Sequence, residues 1–145
     1  MSKIQGVEHI GQTLKILIVE DDTATAHMML TILEAQGHIA QIVGEGEDAL
    51  KLLSGDQNFD VLFLDYHLPK MNGKTFCHIL RNSEVGMKNQ DLWIIAHTKE
   101  DRTDIIEQMF ACGINDYLPK PINPKAFASR ILVAQYARMR RKQSG

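Results

Sequence analysis

Acidic residues that directly follow two short apolar runs are the strongest chemical signal in the sequence. Glu20, Asp21 and Asp22 follow "KILIV", and Asp65 follows "VLFL". A carboxylate is costly to bury as an anion unless a cation or hydrogen bonds compensate its charge. Carboxylates that converge without Cys or His favour a hard metal ion, Mg²⁺ or Mn²⁺, which also binds phosphate oxygens. A metal site that faces a phosphoryl group is therefore the first candidate.

Whether these acids converge depends on the elements that carry them. Short apolar runs alternate with longer amphipathic stretches, which is typical of a parallel sheet with helices on both faces. The predicted strands are residues 15–19, 39–43, 61–64, 92–96 and 116–118. The predicted helices are about residues 23–36, 46–53, 74–81 and 103–111, and a last helix opens near Pro124. Thr23 or Thr25 is the expected N-cap of the first helix, and Gly37 its C′ residue.

Two further polar residues follow predicted strands, at the edge where ligands bind in an open parallel sheet. Thr98 follows the fourth strand, and Lys120 follows the fifth between two prolines that make its segment rigid. If the first and third strands are neighbours, the hydroxyl and the ammonium lie beside the crowded acids. Each residue also has an ordinary explanation, because acids suit a helix N-terminus, Asp65 can form an Asx turn and Thr98 can cap a turn. Their joint occurrence favours the functional interpretation.

Four segments of the chain together resemble a known family. "ILIVEDD", "VLFLDYHLPKMNG", "WIIAHT" and "DYLPKP" are similar to the motifs of the response-regulator receiver domain of two-component signalling, in that family's order. The resemblance covers about residues 14–136. It implies a flavodoxin-like (βα)5 fold, which is a doubly wound five-stranded parallel sheet with strand order 2-1-3-4-5. The chain is then either a stand-alone regulator or part of a hybrid histidine kinase.

The resemblance assigns the acidic residues to phosphoryl transfer. It implies that Asp65 accepts a phosphoryl group from a histidine of a kinase or of a phosphotransfer protein. It also implies that Asp21 binds Mg²⁺ directly and that Glu20 acts through water. Asp65 itself and the backbone carbonyl of His67 would complete the protein ligands of the metal. The protein would catalyse only its own phosphorylation and dephosphorylation, and would not turn over a separate substrate.

The resemblance also implies a switch. Lys120 would pair with the acyl phosphate, and Thr98 would donate its hydroxyl to it. As Thr98 moves, Tyr117 would turn inward and remodel the face built from the fourth helix, fifth strand and last helix. Partners, or a second copy of the chain in a homodimer, would recognise that face. Without the resemblance, Tyr117 is interpreted as a half-buried aromatic residue of a strand.

Two residues are expected to modulate access to the phosphorylation site. Lys99 stands where the family usually has a small residue, so its long side chain either restricts access or attracts a phosphodonor by its charge. His67, two residues after Asp65, occupies a position that tunes hydrolysis in the family. Neither residue type fixes the lifetime of the phosphoryl group.

Two other functions compete with the receiver interpretation. A Mg²⁺-dependent phosphatase or haloacid-type hydrolase usually carries a second acid in a D-x-D motif, whereas this chain has "DYH" after its strand. A phosphorylation-independent pseudo-receiver would lack part of the acid pair, the acceptor or the lysine. This chain retains all of them.

Composition and charge set the remaining expectations. A chain of 145 residues with 44% hydrophobic and 23% charged residues fits one globular domain. The predicted organisation is an N-terminal extension (1–13), a receiver domain (14–136) and a basic helix end or linker (137–145). All 18 acidic residues precede Tyr117, which argues against general nucleic-acid binding, although the basic end keeps a small role open. The two cysteines suggest neither a disulfide nor a zinc site. No apolar run is long enough to span a membrane, so a cytoplasmic location is expected.

Overall fold

The apolar runs of the sequence form a parallel sheet, as predicted. The computed structural model of the protein describes residues 13–82 and 84–144. Within these residues the strands are β1 Lys15–Val19, β2 Ile39–Val43, β3 Val61–Asp65, β4 Trp93–Thr98 and β5 Asp116–Pro119. They pair in the order β2-β1-β3-β4-β5, and each pairing is parallel. The predicted fold class and strand order are confirmed.

Helices cover both faces of the sheet. They are α1 Thr23–Ala35, α2 Gly46–Leu53, α3 Gly73–Arg81, α4 Thr103–Ala111 and α5 Pro124–Ser144, with a short 3₁₀ turn at Met87–Asn89. One apolar cluster joins α1 and α5 to the sheet and includes Met29, Phe63 and Phe127. The opposite cluster joins α2, α3 and α4 to the sheet and includes Leu53, Leu62 and Phe76. Because both faces are buried, the central strands are apolar on both sides.

The alternation of side chains along the strands carries polar groups to the carboxyl edge of the sheet. Ile18 and Phe63 point toward α1 and α5, and successive side chains of a strand point to opposite faces. Glu20 and Asp65 come two residues later, so they leave β1 and β3 on that same side. Because β1 and β3 are neighbours, these two acids meet beyond the last apolar layer of the core.

Strand β4 extends two residues further than the sequence predicted. The prediction ended it at Ala96, before the polar residues His97 and Thr98. In the structure both are strand residues, and they are only 2% and 0% exposed. The backbone ladder continues across them, since Tyr66 N–H donates to His97 O at 3.0 Å and Lys120 N–H donates to Thr98 O at 2.8 Å. The extension brings both side chains into the interior of the site.

The predicted N-cap of the first helix is wrong. Neither Thr23 nor Thr25 caps α1; the N-cap is Asp22, whose carboxylate accepts the Thr25 backbone N–H at 3.0 Å. Aspartate satisfies this free N–H group as well as threonine does, and its charge also suits the helix N-terminus. The other end follows the prediction, because Gly37 lies just past α1 with φ +86°, a conformation that favours glycine.

The last helix continues through the region predicted to be a basic helix end or linker, so the helix-end alternative holds as far as Ser144. The predicted change at residue 137 falls inside α5, which runs to Ser144. Arg138 Nη2 lies 3.2 Å from Asp60 Oδ1, and Arg141 Nη1 donates to Asp91 O at 2.9 Å. These contacts hold the basic end of α5 against the residues that precede β3 and β4. Residues 1–12 of the predicted N-terminal extension and Gly145 lie outside the described residues.

Both cysteines are free thiols. Cys77 is fully buried and free, and burial raises the pKa of its thiol to about 12, so it is a packing residue. Cys112 is free and half-buried. Among the described residues, none of the helices combines the length and apolar character needed to span a membrane.

Candidate phosphorylation and metal site

Three carboxylates converge at the carboxyl ends of β1 and β3. Glu20, Asp21 and Asp65 each offer a carboxylate oxygen, and these oxygens lie within 4.8 Å of one another. Glu20 and Asp65 are 4% and 2% exposed, while Asp21 is exposed at the mouth of the site. Like charges this close repel one another unless a cation neutralises them. The donor set, oxygen only and open on one side, fits a hard divalent cation.

Asp22, the third acid of the run, has a different role. Its carboxylate is held by the backbone N–H of Thr25 at the start of α1. The Thr25 hydroxyl also donates to this carboxylate, and the hydrogen bonds from the Thr25 hydroxyl and backbone N–H lower the pKa of the exposed Asp22 carboxyl. Its own backbone N–H donates to Glu20 Oε2 at 3.2 Å. The run "EDD" therefore divides into two residues that face the site and one that caps a helix.

Lys120 supplies the positive charge inside the site. Its Nζ lies 2.8 Å from Asp65 Oδ1, with side chains only 20% and 3% exposed. The backbone N–H of His67 donates to the same carboxylate oxygen at 3.0 Å. Burial raises the pKa of Asp65, but the hydrogen bonds from Lys120 and His67 outweigh it, so the pKa lies below its usual value. Asp65 is therefore an ionised, buried and singly oriented carboxylate, which suits a nucleophile.

The hydroxyl of Thr98 is engaged on two sides. It accepts the backbone N–H of Glu100 at 3.0 Å, and its oxygen lies 2.9 Å from Nε2 of the exposed His67 ring. Asp65 pairs with His97 between β3 and β4, so Thr98 lies one residue beyond the level of Asp65 on the neighbouring strand. The predicted hydroxyl thus lies at the same edge as the acids, linked to the loop after Asp65 through His67.

Two further predicted residues lie outside this network. Lys99 is exposed and, within the described part of the chain, makes no ion pair with the acidic cluster. Tyr117 is half-buried on β5, and its ring packs edge-on against Phe110 of α4 with centroids 6.4 Å apart. Phe110 is 41% exposed. The Tyr117 ring therefore lies at the surface between β5 and α4.

The sequence analysis missed His97. Its Nδ1 lies 3.2 Å from Glu20 Oε1, and both side chains are 3% exposed. The predicted fourth strand ended before His97, so it did not indicate the face to which the His97 side chain points. A signal was present, because His97 comes two residues after the buried Ile95 and alternation points it to the same face.

An ionised aspartate paired with a lysine, beside two more acids at the carboxyl edge of a 2-1-3-4-5 sheet, defines the class of receiver domains. The family model described as response regulator receiver domain matches residues 16–132. The chain belongs to this family, whose members act as signalling switches in two-component systems.

Individual relatives and solved structures agree with this assignment. The DNA-binding response regulator MtrA of Mycolicibacterium smegmatis is 31% identical over 89% of this chain and 52% of its own length. The chain thus spans about half the length of that curated relative. The chemotaxis response regulator CheY4 of Vibrio cholerae shares the fold, with a TM-score of 0.77 at 24% identity over 85% of this chain and 99% of that one. The receiver domain of the sensor histidine kinase PA1611 from Pseudomonas aeruginosa PAO1, with a magnesium ion coordinated in the active site cleft, has a TM-score of 0.72 at 26% identity over 87% of this chain and 99% of that one.

Proposed function

We propose that Asp65 accepts a phosphoryl group from a phosphohistidine and that the resulting acyl phosphate switches the surface of the domain. The observation that carries the proposal is the 2.8 Å contact of Lys120 Nζ with Asp65 Oδ1 inside a cluster of three carboxylates. A purely structural ion pair would not require two more acids beside it. Crowded acids with one lysine instead suit a site that receives further positive charge and a phosphoryl group.

The acids of the cluster are the proposed ligands of Mg²⁺. Asp21 and Asp65 would bind it directly, Glu20 through water, and the backbone carbonyl of His67 would complete the protein ligands. The structure of the PA1611 receiver domain has a magnesium ion coordinated in its active site cleft, which supports this choice of metal. When bound, Mg²⁺ would neutralise negative charge on the transferring group.

The transfer step needs little covalent chemistry from the protein. A carboxylate oxygen of Asp65 attacks phosphorus, the bond from phosphorus to the donor histidine nitrogen breaks, and that nitrogen retains the electron pair. Lys120 stays in the site and pairs with a phosphoryl oxygen instead of with the free carboxylate. The lowered pKa of Asp65 keeps the nucleophile ionised before the step. Positioning and fixed positive charge supply most of the rate effect.

The proposed switch connects Thr98 to the surface of α4, β5 and α5. The Thr98 oxygen lies 2.9 Å from Nε2 of His67, and the hydroxyl would move from there to donate to a phosphoryl oxygen. Tyr117 is half-buried and packs on Phe110, so an inward turn of Tyr117 would change the exposed apolar surface of this face. Two discrete arrangements of such a face are what a phosphorylation switch requires.

The proposed partners follow from the phosphodonor and from the switched face. The donor is a histidine kinase or a histidine phosphotransfer protein, and the reader of the face is a partner protein or a second copy of this chain. MtrA is described as DNA-binding, but this chain spans only about half of it. The basic end of α5 contacts Asp60 and Asp91 within the domain. We therefore propose no DNA binding for the described domain.

Binding of beryllium trifluoride, which mimics a phosphoryl group on a carboxylate, tests the proposal by amide NMR. With Mg²⁺ present, we expect shifts near Asp65 and across α4, β5 and α5. Asp65→Asn should abolish the shifts near residue 65 and those across α4, β5 and α5. The matched variant Asp22→Asn should retain both sets of shifts. Thr98→Val should keep the shifts near Asp65 and lose those around Tyr117. An unresponsive wild-type protein, or an equal response in Asp65→Asn, would contradict the proposal, and sustained turnover of a phosphate ester would favour a hydrolase.

A further inference from the structure

A histidine is buried in the layer directly beneath the acidic cluster. His97 is 2% exposed, and its ring packs against Phe63 with centroids 5.3 Å apart. Phe63 in turn packs edge-on against Phe127 of α5. An imidazole placed among aromatic core residues loses its hydration, which is costly unless its nitrogens find partners. The position therefore calls for a specific polar contact.

That contact is with Glu20. Nδ1 of His97 lies 3.2 Å from Glu20 Oε1, and both side chains are 3% exposed. The other carboxylate oxygen, Oε2, accepts the backbone N–H of Asp22 at 3.2 Å. Each oxygen of Glu20 is thus held by one donor. A carboxylate fixed at both oxygens keeps one orientation beside Asp21 and Asp65, with the remaining lone pairs free.

The surroundings of the ring determine where its proton lies. A carboxylate only accepts, so the contact requires a proton on Nδ1. Nε2 is buried and has no hydrogen-bond partner among the described residues. An unprotonated Nε2 leaves a buried acceptor without a donor, whereas a protonated Nε2 would leave a buried donor without an acceptor, which costs more. The contact with Glu20 therefore places a proton on Nδ1 of His97.

We propose that His97 is a positioning residue that orients Glu20 for Mg²⁺ binding. The proposal rests on the proposed function, because it assigns Glu20 to the metal site. Groups that hydrogen-bond a metal-binding carboxylate fix its orientation, so less order has to be imposed when the cation arrives. Glu20 is only 4% exposed, and His97 is the side chain that reaches it from the neighbouring layer of the core.

Isothermal titration of the whole chain with Mg²⁺ tests this role without any phosphorylation. His97→Phe keeps an aromatic ring of similar shape and removes the donor, and we expect it to weaken Mg²⁺ binding about tenfold. His97→Asn places an N–H donor near the position of Nδ1 and should recover most of the affinity. Ile95→Val, which trims the same face of β4 two residues earlier, is the control for a general loss of core packing and should leave the affinity unchanged.

A double-mutant cycle separates positioning from a general structural effect. If His97 acts through Glu20, His97→Phe should have no further effect on Mg²⁺ affinity in a Glu20→Gln background. An equal loss in both backgrounds would overturn the proposal, and so would wild-type affinity in His97→Phe. Failure of the wild-type chain to bind Mg²⁺ would instead overturn the proposed function. If His97→Phe does not fold, long-range ¹H–¹⁵N spectra of the wild type decide: an Nδ1–H tautomer that shifts with Mg²⁺ is expected, and an Nε2–H tautomer contradicts the proposal.

Discussion

Nε2 of the His67 ring lies 2.9 Å from Oγ1 of Thr98, which joins the loop after the proposed acceptor to the proposed switch hydroxyl. The backbone N–H of Glu100 also donates to that oxygen, so two contacts hold the Thr98 side chain in its present orientation. We expect movement of the Thr98 hydroxyl toward a phosphoryl oxygen on Asp65 to weaken its contact with His67.

Removal of the His67 ring should speed up phosphorylation. His67→Ala leaves the backbone of the loop in place and releases Thr98, and one hydrogen bond of about 1 kcal/mol corresponds to roughly a fivefold increase in rate. Lys99→Ala is the matched control, because Lys99 is exposed and makes no ion pair with the described acidic cluster. The initial rate at which each variant forms the phosphoryl adduct with acetyl phosphate is the measurement. A larger acceleration in Lys99→Ala than in His67→Ala would show that Lys99, and not His67, restricts the site.

The adjacent acids Asp21 and Asp22 should differ in their effect on Mg²⁺ affinity. Asp21→Asn removes a charge from the cluster, and we expect a loss of at least about tenfold, or roughly 1.4 kcal/mol of binding free energy. Asp22→Asn keeps the N-cap of α1, because asparagine also accepts the Thr25 N–H. Its affinity should stay close to that of the wild type in isothermal titration. Equal losses in the two variants would place Asp22 in the metal site.

Loss of Lys120 should raise the pKa of Asp65. Burial, which raises that pKa, remains in Lys120→Met, while the hydrogen bond and charge that outweigh it are lost. In the wild type the folded-state pKa lies below the unfolded one. The Asp65 carboxylate therefore stabilises the fold above the unfolded pKa, and this stabilisation is lost as the pH falls through the folded value. In Lys120→Met that contribution should be missing at neutral pH.

The Asp65 pKa can be followed directly by ¹³C NMR of its carboxyl carbon, in a pH titration without Mg²⁺. Lys125→Met is the control, since Lys125 is an exposed residue of α5. We expect an upward shift in Lys120→Met and none in Lys125→Met. An unchanged pKa in Lys120→Met would mean that the 2.8 Å contact with Asp65 does not govern its ionisation.

Arg81 should be a major contributor to stability. Its guanidinium donates to the backbone carbonyls of Gly113, Gln90 and Leu92 and to the Asn115 side chain, at 2.6–3.1 Å. These bonds join the end of α3 to the start of β4 and to the turn before β5. Arg81→Met leaves several carbonyls without a donor, so we expect a loss of about 2–3 kcal/mol in the free energy of unfolding.

Urea unfolding measures this loss, with two matched variants. Arg81→Lys should recover little, because one ammonium cannot reach all the carbonyls that the planar fork reaches. Arg102→Met removes an exposed arginine whose ion pair with Glu100 is 3.7 Å long, and it should cost less than about 0.5 kcal/mol. A similar cost for Arg81→Met and Arg102→Met would contradict the structural role of Arg81.

The sequence predicted the residues at the strand ends well, because an apolar run that stops at an acid or a lysine marks both the strand and the site. Asp65 and Lys120 were identified in this way, and the structure brings them within 2.8 Å. The sequence did not predict the specific contacts that His97 and Arg81 make with residues distant in the chain. His97 and its partner Glu20 are 77 positions apart, and His97 lay outside the predicted strand. Arg81 appears in the sequence as an ordinary basic residue in the last turn of a helix.

Intact mass after incubation with phosphoramidate and Mg²⁺, or with a phosphorylated histidine kinase, tests most directly whether Asp65 is the acceptor. We predict the added mass of one phosphoryl group on the wild type and on Asp22→Asn, its removal by hydroxylamine as expected for an acyl phosphate, and its absence when Mg²⁺ is chelated. Asp65→Asn should carry no adduct. An adduct that persists in Asp65→Asn, or no adduct on the wild type with either donor, would contradict the assignment.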